Sequence, residues 1–228
     1  MNRDTTLCLT IGKRPDELKR TLESLFVKQK FANIIAINDF GDDATSDVFR
    51  ALCPHGRLIE LERQVGHHQA VDAMYRYVKT PYILHCEDDW LFDGELDLTS
   101  AKLLLECEDF AVVCFRDLAD FPDYEDCKNE VIFEQLGEVR YARKDHLHEQ
   151  WHGFTFNPHL TKTTLWQSLD GGFSHFKKER HISRYFKKHK KIVAFIQPAS
   201  CRHIGENISV ANPNEKRSWL KKIKSFLK

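Results

Sequence analysis

The stretch that decides the fold is Tyr82-Ile83-Leu84-His85-Cys86-Glu87-Asp88-Asp89-Trp90, an apolar run that ends in three consecutive acids. The run has the length and composition of a buried strand. Clustered carboxylates repel one another, and isolated charges are costly to bury. A hard cation such as Mg²⁺ or Mn²⁺ resolves that conflict, because it takes oxygen ligands from one or two carboxylates and from a substrate's phosphates. The pattern therefore predicts a metal-dependent site for a phosphorylated ligand, with a solvated turn as the simpler alternative.

The segments around this strand alternate in type, as they do in an α/β sheet. Residues 7–11 and 34–37 are predicted strands, and Pro15 with the two acids after it suits the first turn of a helix. Ligands of open α/β sheets bind outside the carboxyl ends of the strands. The polar residues that follow these strands are therefore expected at one edge of one sheet.

Size and composition fit one globular domain. The 228 residues contain 34 Lys and Arg against 34 Asp and Glu, so no global charge favours nucleic acid. No run approaches the roughly 20 apolar residues of a membrane span, and the N-terminus has no signal-peptide core. The seven cysteines are scattered and form no C-x-x-C pair. They argue against a zinc knuckle or a disulfide framework and favour a reducing cytoplasm.

The chain changes character after residue 116, where an acidic, irregular stretch begins. A hairpin is predicted at 131–135 and 139–143, followed by an aromatic-rich loop at 152–158. Helices are expected near 161–169 and 177–189, and a strand at 192–196. We predict a nucleotide half followed by a substrate half within one domain.

Four segments, in order, resemble the GT-A glycosyltransferases, and most closely the large inverting family two. Residues 9–15 are similar to its first strand and nucleotide loop, and 37–45 to its DDGSxDxT segment, with Asn38 in place of the first Asp. Residues 64–72 look like its NxGxxxAxN segment, and Glu87-Asp88-Asp89 is similar to its DXD motif. The resemblance covers roughly residues 5 to 205. It implies a GT-A (Rossmann-like) single domain with a central, mostly parallel mixed sheet flanked by helices.

The resemblance also implies where the donor binds. Asp39 is the expected partner of the base or ribose, and Asp89 is the expected metal ligand, joined by His203 after the last core strand. The implied cofactor is Mn²⁺ or Mg²⁺. The implied nucleotide-binding residues are Thr10, Gly12, Arg14, Asp39, Gly66, His68, Asp72 and Asp88.

The acceptor side is implied by the second half of the chain. Residues 178–184 look like the family's EDxDLxxR stretch, which places Glu179 where the general base usually lies. Lys178 and His181 depart from that pattern, and a solvated helix acid is the alternative role of Glu179. The implied acceptor-binding residues are Trp90, His152, Phe156 and Asn157.

The function implied by the resemblance is metal-dependent, inverting sugar transfer of the hexosyltransferase type. The implied donor is a nucleotide diphosphate sugar, and the resemblance to the family favours UDP as its nucleotide. The acceptor is a hydroxyl of a glycan or of a lipid-linked molecule, and bacterial surface polysaccharide or lipooligosaccharide synthesis is the expected setting. The altered EDxDLxxR stretch leaves open a catalytically degenerate module that binds a nucleotide sugar or glycan. A nucleotidyltransferase ranks last, because residues 12–15 are shorter than the Gly-rich first loop of that class.

The domain organisation follows from the same resemblance. A glycosyltransferase domain is predicted over 1–212, with a nucleotide-sugar half at 1–116 and an acceptor half at 117–212. Residues 213–228 form a predicted basic, amphipathic tail with Trp219 and Phe226 on its apolar face. Each basic residue near an anionic lipid surface contributes about 1 kcal/mol to the free energy of membrane binding. We therefore expect a cytoplasmic protein whose tail touches the inner face of the cell membrane, the alternative being a tail packed on the domain.

Overall fold

The acid-tipped strand, Tyr82–Glu87, lies near the middle of a nine-stranded sheet in the computed structural model of the chain. The structure describes residues 1–121, 123–147 and 153–205. His152 and the predicted tail at 213–228 lie outside these ranges. None of the helices in the described ranges is both long and apolar enough to span a bilayer.

The elements alternate through the first half and become less regular in the second. The strands are β1 (Asn2–Ile11), β2 (Phe31–Asn38), β3 (Arg57–Glu60), β4 (Tyr82–Glu87), β5 (Trp90–Phe92), β6 (Phe110–Cys114), β7 (Ile132–Leu136), β8 (Val139–Arg143), β9 (His159–Lys162), β10 (Ile192–Gln197) and β11 (Cys201–His203). The helices are α1 (Pro15–Lys28), α2 (Asp43–Leu52), α3 (His67–Tyr75), α4 (Leu98–Glu106), α5 (Tyr124–Cys127), α6 (Thr163–Gln167) and α7 (Glu179–Lys188). Short 3₁₀ turns cover Leu118–Asp120, Lys128–Glu130 and Phe173–His175.

The large sheet has the strand order β3-β2-β1-β4-β9-β6-β10-β8-β7. Strands β1 to β4 pair in parallel, as do β6 and β10, whereas β9 runs antiparallel between β4 and β6. The hairpin of β7 and β8 adds antiparallel strands at one end. A separate two-stranded sheet pairs β11 with β5. This is the mixed, mostly parallel α/β sheet that the sequence predicted.

Hydrophobic packing covers both faces of the sheet. Helix α1 begins at Pro15 and buries Leu18, Leu22 and Leu25 against one face. The other face is covered by α3 and α7, which bury residues such as Met74 and Phe186. Because β1 is covered on both sides, its residues 5–9 are all buried. A strand with one exposed face would instead alternate buried and exposed residues.

One strand was not predicted. The helix expected near 161–169 is present but shorter, as α6 (Thr163–Gln167), and it is preceded by the strand β9 (His159–Lys162), which overlaps the start of the predicted helix. Four residues give too little periodicity to separate a strand from a helix turn. The pairing of His159–Lys162 with both β4 and β6 decides the conformation, and that pairing is set by the tertiary fold.

Candidate active site

The carboxyl ends of β1, β2 and β4 bring the polar residues of the first half to one edge of the sheet. Gly12 follows β1, Asp39 follows β2, and Asp88 and Asp89 follow β4. The pairing of Thr10 with Glu87 fixes the relative heights of β1 and β4. The edge predicted from the sequence as a ligand site therefore gathers acids from separate segments.

Asp88 and Asp89 are both buried, but they make different contacts. Asp88 Oδ2 accepts a 2.9 Å hydrogen bond from the backbone N–H of Gly12. The Oδ2 atom of Asp89 contacts the Arg14 guanidinium and lies 3.0 Å from Nε2 of His203. Arg14 Nη1 is also 3.6 Å from Asp88 Oδ1. Asp88 thus ties the first loop to β4, whereas Asp89 faces two groups carried on side chains that can move.

The two neighbouring carboxylates have opposite pKa shifts. Burial, followed by the charge of Asp89, raises the pKa of Asp88 to about 7. Burial also opposes ionisation of Asp89, but the hydrogen bond and charge of His203 and the charge of Arg14 outweigh it and lower that pKa. Asp89 is therefore the carboxylate that stays ionised, as a cation ligand must.

The end of β4 offers a divalent cation two ligands, Asp89 and His203. Across the described ranges, no group of three or more His, Cys, Asp or Glu side chains is arranged to hold a metal. Asp89 Oδ2 and His203 Nε2 lie 3.0 Å apart, which allows both to contact one small cation with bonds of about 2.1 Å. Mg²⁺-type ions are often held by one or two protein groups together with substrate phosphates. The residues fit such an ion if the Arg14 guanidinium moves away from Asp89.

The loops beside the acids are fixed by short-range contacts. A Cβ at Gly12 would lie 2.1 Å from Cδ2 of Phe40, so only glycine allows this approach. The buried Asn38 side chain accepts from the backbone N–H groups of Phe40 and Gly41, and it donates to the Asp42 carbonyl. An aspartate could not donate in this way, which explains Asn38 in place of the family's Asp.

Asp39 holds the next loop at the edge. Its two carboxylate oxygens accept from the backbone N–H groups of Val65, at 2.7 Å, and Gly66, at 2.9 Å. Gly66 has a φ of 96°, a conformation that favours glycine. Two of the predicted nucleotide-binding residues are therefore joined to each other, and each Asp39 oxygen keeps capacity for a further donor.

Asp72 and His68 both contact the second half of the chain. Asp72 accepts from Trp166 Nε1, from the Phe173 N–H and from the Ser174 N–H, at 2.7 to 2.9 Å. A Cβ at Gly172 would lie 2.6 Å from the same carboxylate. Nδ1 of His68 donates to the Phe176 carbonyl at 2.7 Å. Three donors from the second half therefore hold the Asp72 carboxylate in place, and we do not include Asp72 in the proposed nucleotide site.

Glu179 begins helix α7 and its side chain faces the site. Burial raises its pKa, whereas the Thr155 hydroxyl and the Phe156 backbone N–H favour its ionised form. The charges of His68 and Arg116 act in the same direction as those donors. Glu179 in turn raises the pKa of Glu87, after burial and the charge of Asp89. The candidate base predicted from the second half is therefore electrostatically coupled to the acids of the first half.

The described acceptor residues fall into two kinds. Trp90 and Phe156 are only 2% and 1% exposed, so neither presents a ring face on which a sugar could stack. Asn157 is also 1% exposed, yet its Oδ1 and Nδ2 atoms have no hydrogen-bond partner within the described chain. Buried amides are normally paired, because leaving one unpaired costs about 1–3 kcal/mol. Asn157 is therefore the one of these three whose environment points to a ligand.

Arg116 is a site residue that the sequence analysis missed. It lies two residues beyond β6, its guanidinium is 5.4 Å from the Trp90 ring centre, and its charge acts on both Glu87 and Glu179. Its Nη2 donates to the Asp120 carbonyl, and Asp120 Oδ2 accepts from the His203 N–H. The signal that identifies it is the rule used for the acids, a polar residue just after a buried strand.

Three histidines form a neutral cluster next to Asn157, whose backbone carbonyl accepts from His159 Nδ1 at 2.8 Å. The rings of His85 and His159 stack with centres 5.2 Å apart, and His67 lies 6.2 Å from His85. Burial lowers the pKa of His67 and of His159 to about 4, so both are neutral near pH 7. In each of the three, Nε2 is buried without a partner in the described chain. The cluster is therefore polar but uncharged near pH 7.

Comparison with solved structures identifies the class of fold. The mannosyltransferase PcManGT from Pyrobaculum calidifontis, solved in complex with GDP-Man and Mn²⁺, superposes with a TM-score of 0.64 at 14% identity and covers 97% of this chain. S. aureus TarS 1-349 superposes with a TM-score of 0.56 at 12% identity and covers 89%. This chain spans 60% of the length of each. The likenesses confirm the predicted GT-A fold.

The family follows from the sequence itself. The model of glycosyl transferase family 2 matches residues 7–180, which include Asp39, Asp88, Asp89 and Glu179. The chain therefore belongs to glycosyl transferase family 2, as its motifs predicted. A search of curated protein sequences found no significant match.

Proposed function

We propose that this protein is a metal-dependent, inverting glycosyltransferase that moves a sugar from a nucleotide diphosphate sugar to an acceptor hydroxyl. The observation that carries the proposal is the pairing of Asp89 with His203 at the end of β4, next to Glu87, whose pKa is raised in part by the charge of the candidate base Glu179. The family match supports the reaction class. The alternative of a nucleotidyltransferase has no such support.

The donor side is assigned to the first half of the chain. Asp39 and the loop at Gly66 contact the base and ribose, while Gly12, Thr10 and Asp88 line the diphosphate. Asp89 and His203 would hold Mn²⁺ or Mg²⁺, which when bound would offset the negative charge that develops on the leaving diphosphate. Arg14, released from Asp89, adds a second positive charge beside the phosphates. We favour UDP as the nucleotide, and the only basis for this choice is the resemblance to the family.

The acceptor side is assigned to Glu179 and Asn157. Glu179 accepts the proton of the acceptor hydroxyl as that oxygen attacks the anomeric carbon, so the carbon's configuration inverts. Its raised pKa makes it a stronger base than an ordinary glutamate. The unpaired amide of Asn157 hydrogen-bonds the acceptor's hydroxyl groups. The charges of His68 and Arg116 favour the ionised form of Glu179 and so oppose the effect of burial.

A binding module without catalysis is the second candidate. The departures at Lys178 and His181 from the EDxDLxxR pattern favour it. The described site nevertheless keeps a carboxylate at 179 in a partly buried position, coupled to the donor-side acids. A module that only bound the nucleotide would not need that carboxylate, so we rank catalysis first.

The test is calorimetric titration of UDP, GDP and dTDP into the 228-residue chain, with and without Mn²⁺. We expect one nucleotide to bind, and only when the cation is present. Asp89→Ala should abolish that binding, whereas Asp93→Ala, an exposed acid near the same strand, should leave it unchanged. If no nucleotide binds the wild-type chain, the acids at the end of β4 have another role and the proposal fails.

A further inference from the structure

Helix α7 and the residues around it hold the densest positive charge in the described chain. The formal charge of the whole sequence is zero, yet residues 177–191 contain eight basic side chains and a single acid, Glu179. The eight are Lys177, Lys178, Arg180, Arg184, Lys187, Lys188, Lys190 and Lys191. Such a concentration is unfavourable for folding, because like charges one helical turn apart repel each other.

Packing does not account for these charges. The helix buries its apolar face, with Ile182 and Phe186 fully enclosed in the core. Apart from the half-buried Lys191, the basic residues are exposed. Within the described ranges, none of the exposed seven forms an ion pair with a carboxylate. Among the described residues, the outer face of α7 is therefore a positive surface without compensating carboxylates.

The pKa of a histidine among these basic residues is shifted by their positive charge. His181 lies on α7, and its pKa is lowered by desolvation and then by the charges of Arg180, Arg184, Lys177 and Lys178. The surface thus disfavours a further positive charge and favours an anion.

The surface leads directly to the candidate base. Glu179 is the first residue of α7, and its carboxylate turns inward toward Phe156. Arg180, Arg184 and Lys188 follow at spacings of four residues along the outer side, over about 12 Å at 1.5 Å of rise per residue. A chain of anionic groups lying on this stripe would have one end beside Glu179.

We propose that the outer face of α7 binds an acceptor that carries several anionic groups, and that it thereby brings an acceptor hydroxyl to Glu179. The inference rests on the proposed function and names the chemical class of its acceptor. Phosphodiester and carboxylate groups share the required chemistry, since both are acceptor-only anions that pair with Arg and Lys.

An anionic membrane is the competing partner, and the helix does not have the form that such a partner requires. Interfacial helices turn an apolar face toward the lipid. The apolar residues Ile182 and Phe186 of α7 face the protein core instead. The stripe therefore suits a water-soluble anion better than a bilayer.

The test compares two variants that remove equal charge. One is the triple variant Arg184→Gln, Lys187→Gln and Lys188→Gln, which leaves Glu179 and its neighbours unchanged. The control removes three exposed basic residues elsewhere, by Arg20→Gln, Lys30→Gln and Lys79→Gln. Fluorescence anisotropy is measured with labelled glycerol-phosphate oligomers of one to eight units, oligogalacturonates of the same lengths, and neutral dextran.

We expect the wild type to bind one of the two anionic series and not dextran. Affinity should rise with length and level off after a few units, because the stripe is short. The triple variant should lose at least tenfold in affinity, and the control less than twofold. An oligomer with a photo-crosslinker at its hydroxyl end should label the peptides that contain residues 153–159 or Glu179.

Three results would overturn the inference. They are equal losses in both variants, crosslinks confined to surfaces remote from Glu179, and binding only to phosphatidylglycerol vesicles, which would indicate a membrane contact. Nucleotide titration on the same proteins separates this failure from that of the proposed function. If Mn²⁺-dependent nucleotide binding persists while the oligomers fail to bind, only the acceptor class is wrong.

Discussion

Asp72 and Asn157 are both almost fully buried at contacts between the first and second halves of the chain, and they differ in how they are satisfied. Asp72 accepts three hydrogen bonds from Trp166, Phe173 and Ser174, and it leaves no room for a side chain at Gly172. Asn157 makes no side-chain hydrogen bond within the described protein. A buried group that is hydrogen-bonded within the fold stabilises it, whereas a buried group without a partner has donors and acceptors left for a ligand. The contrast separates structural polar residues from functional ones.

The largest effect is expected at Glu179, which belongs with Asn157 on the functional side of this comparison. Glu179→Gln keeps the size of the side chain but removes the base, so transfer should fall about 10²–10⁴-fold. Nucleotide titration should give the wild-type affinity, because Glu179 lies on the acceptor side. Initial rates of sugar transfer measure the change, and turnover at the wild-type rate would remove Glu179 from the mechanism.

The pH profile of the wild type sharpens the same point. Because burial raises the pKa of Glu179, the base becomes protonated at a higher pH than an ordinary glutamate. Transfer should therefore decline as the pH falls through that raised pKa, and level off above it. The neighbours that face Glu179 are Glu87, His68 and Arg116, so the profile of Glu179→Gln is needed to assign the decline.

The second largest effect is expected at Asp72, where a substitution should reduce the stability of the fold. Asp72→Ala leaves the indole N–H of Trp166 and the backbone N–H groups of Phe173 and Ser174 without their acceptor. The free energy of unfolding should fall by about 3 kcal/mol, measured by urea denaturation. The folded fraction should still bind nucleotide with wild-type affinity. A variant with full stability and lost nucleotide binding would place Asp72 in the donor site instead.

The smallest effect is expected at Asn157, where the comparison is most direct. Asn157→Ala removes an amide that has no hydrogen-bond partner among the described residues, so stability should change by no more than about 1 kcal/mol. The KM for the acceptor should rise about tenfold, which corresponds to about 1.4 kcal/mol of lost binding. Thr161→Ala, a nearby buried residue that does have a partner, serves as the control, since its loss should reduce stability and leave KM unchanged.

The donor edge was predictable because each of its residues follows a buried strand. The runs before Gly12, Asp39 and Asp88 show their strand character in the sequence, and parallel strands bring their carboxyl ends to one edge. Arg116 obeys the same rule but was passed over, since a lone cation after a strand is a weaker signal than three acids. The division into halves at residue 116 and the role of the 213–228 tail remain predictions.

The amino-acid sequence by itself determined the α/β class, the strand-end acids and the family, because these depend on short-range patterns along the chain. Only the tertiary structure decided that His159–Lys162 is a strand, and that Trp90 and Phe156 are enclosed. It also decided that Asp72 is hydrogen-bonded within the fold, whereas the Asn157 amide has no partner among the described residues. The tertiary structure also decided that the basic face of α7 is exposed to solvent and that this helix begins at Glu179. Pairing, burial and hydrogen-bond satisfaction depend on residues far apart in the chain, and the type of a side chain does not reveal whether its partner will lie beside it.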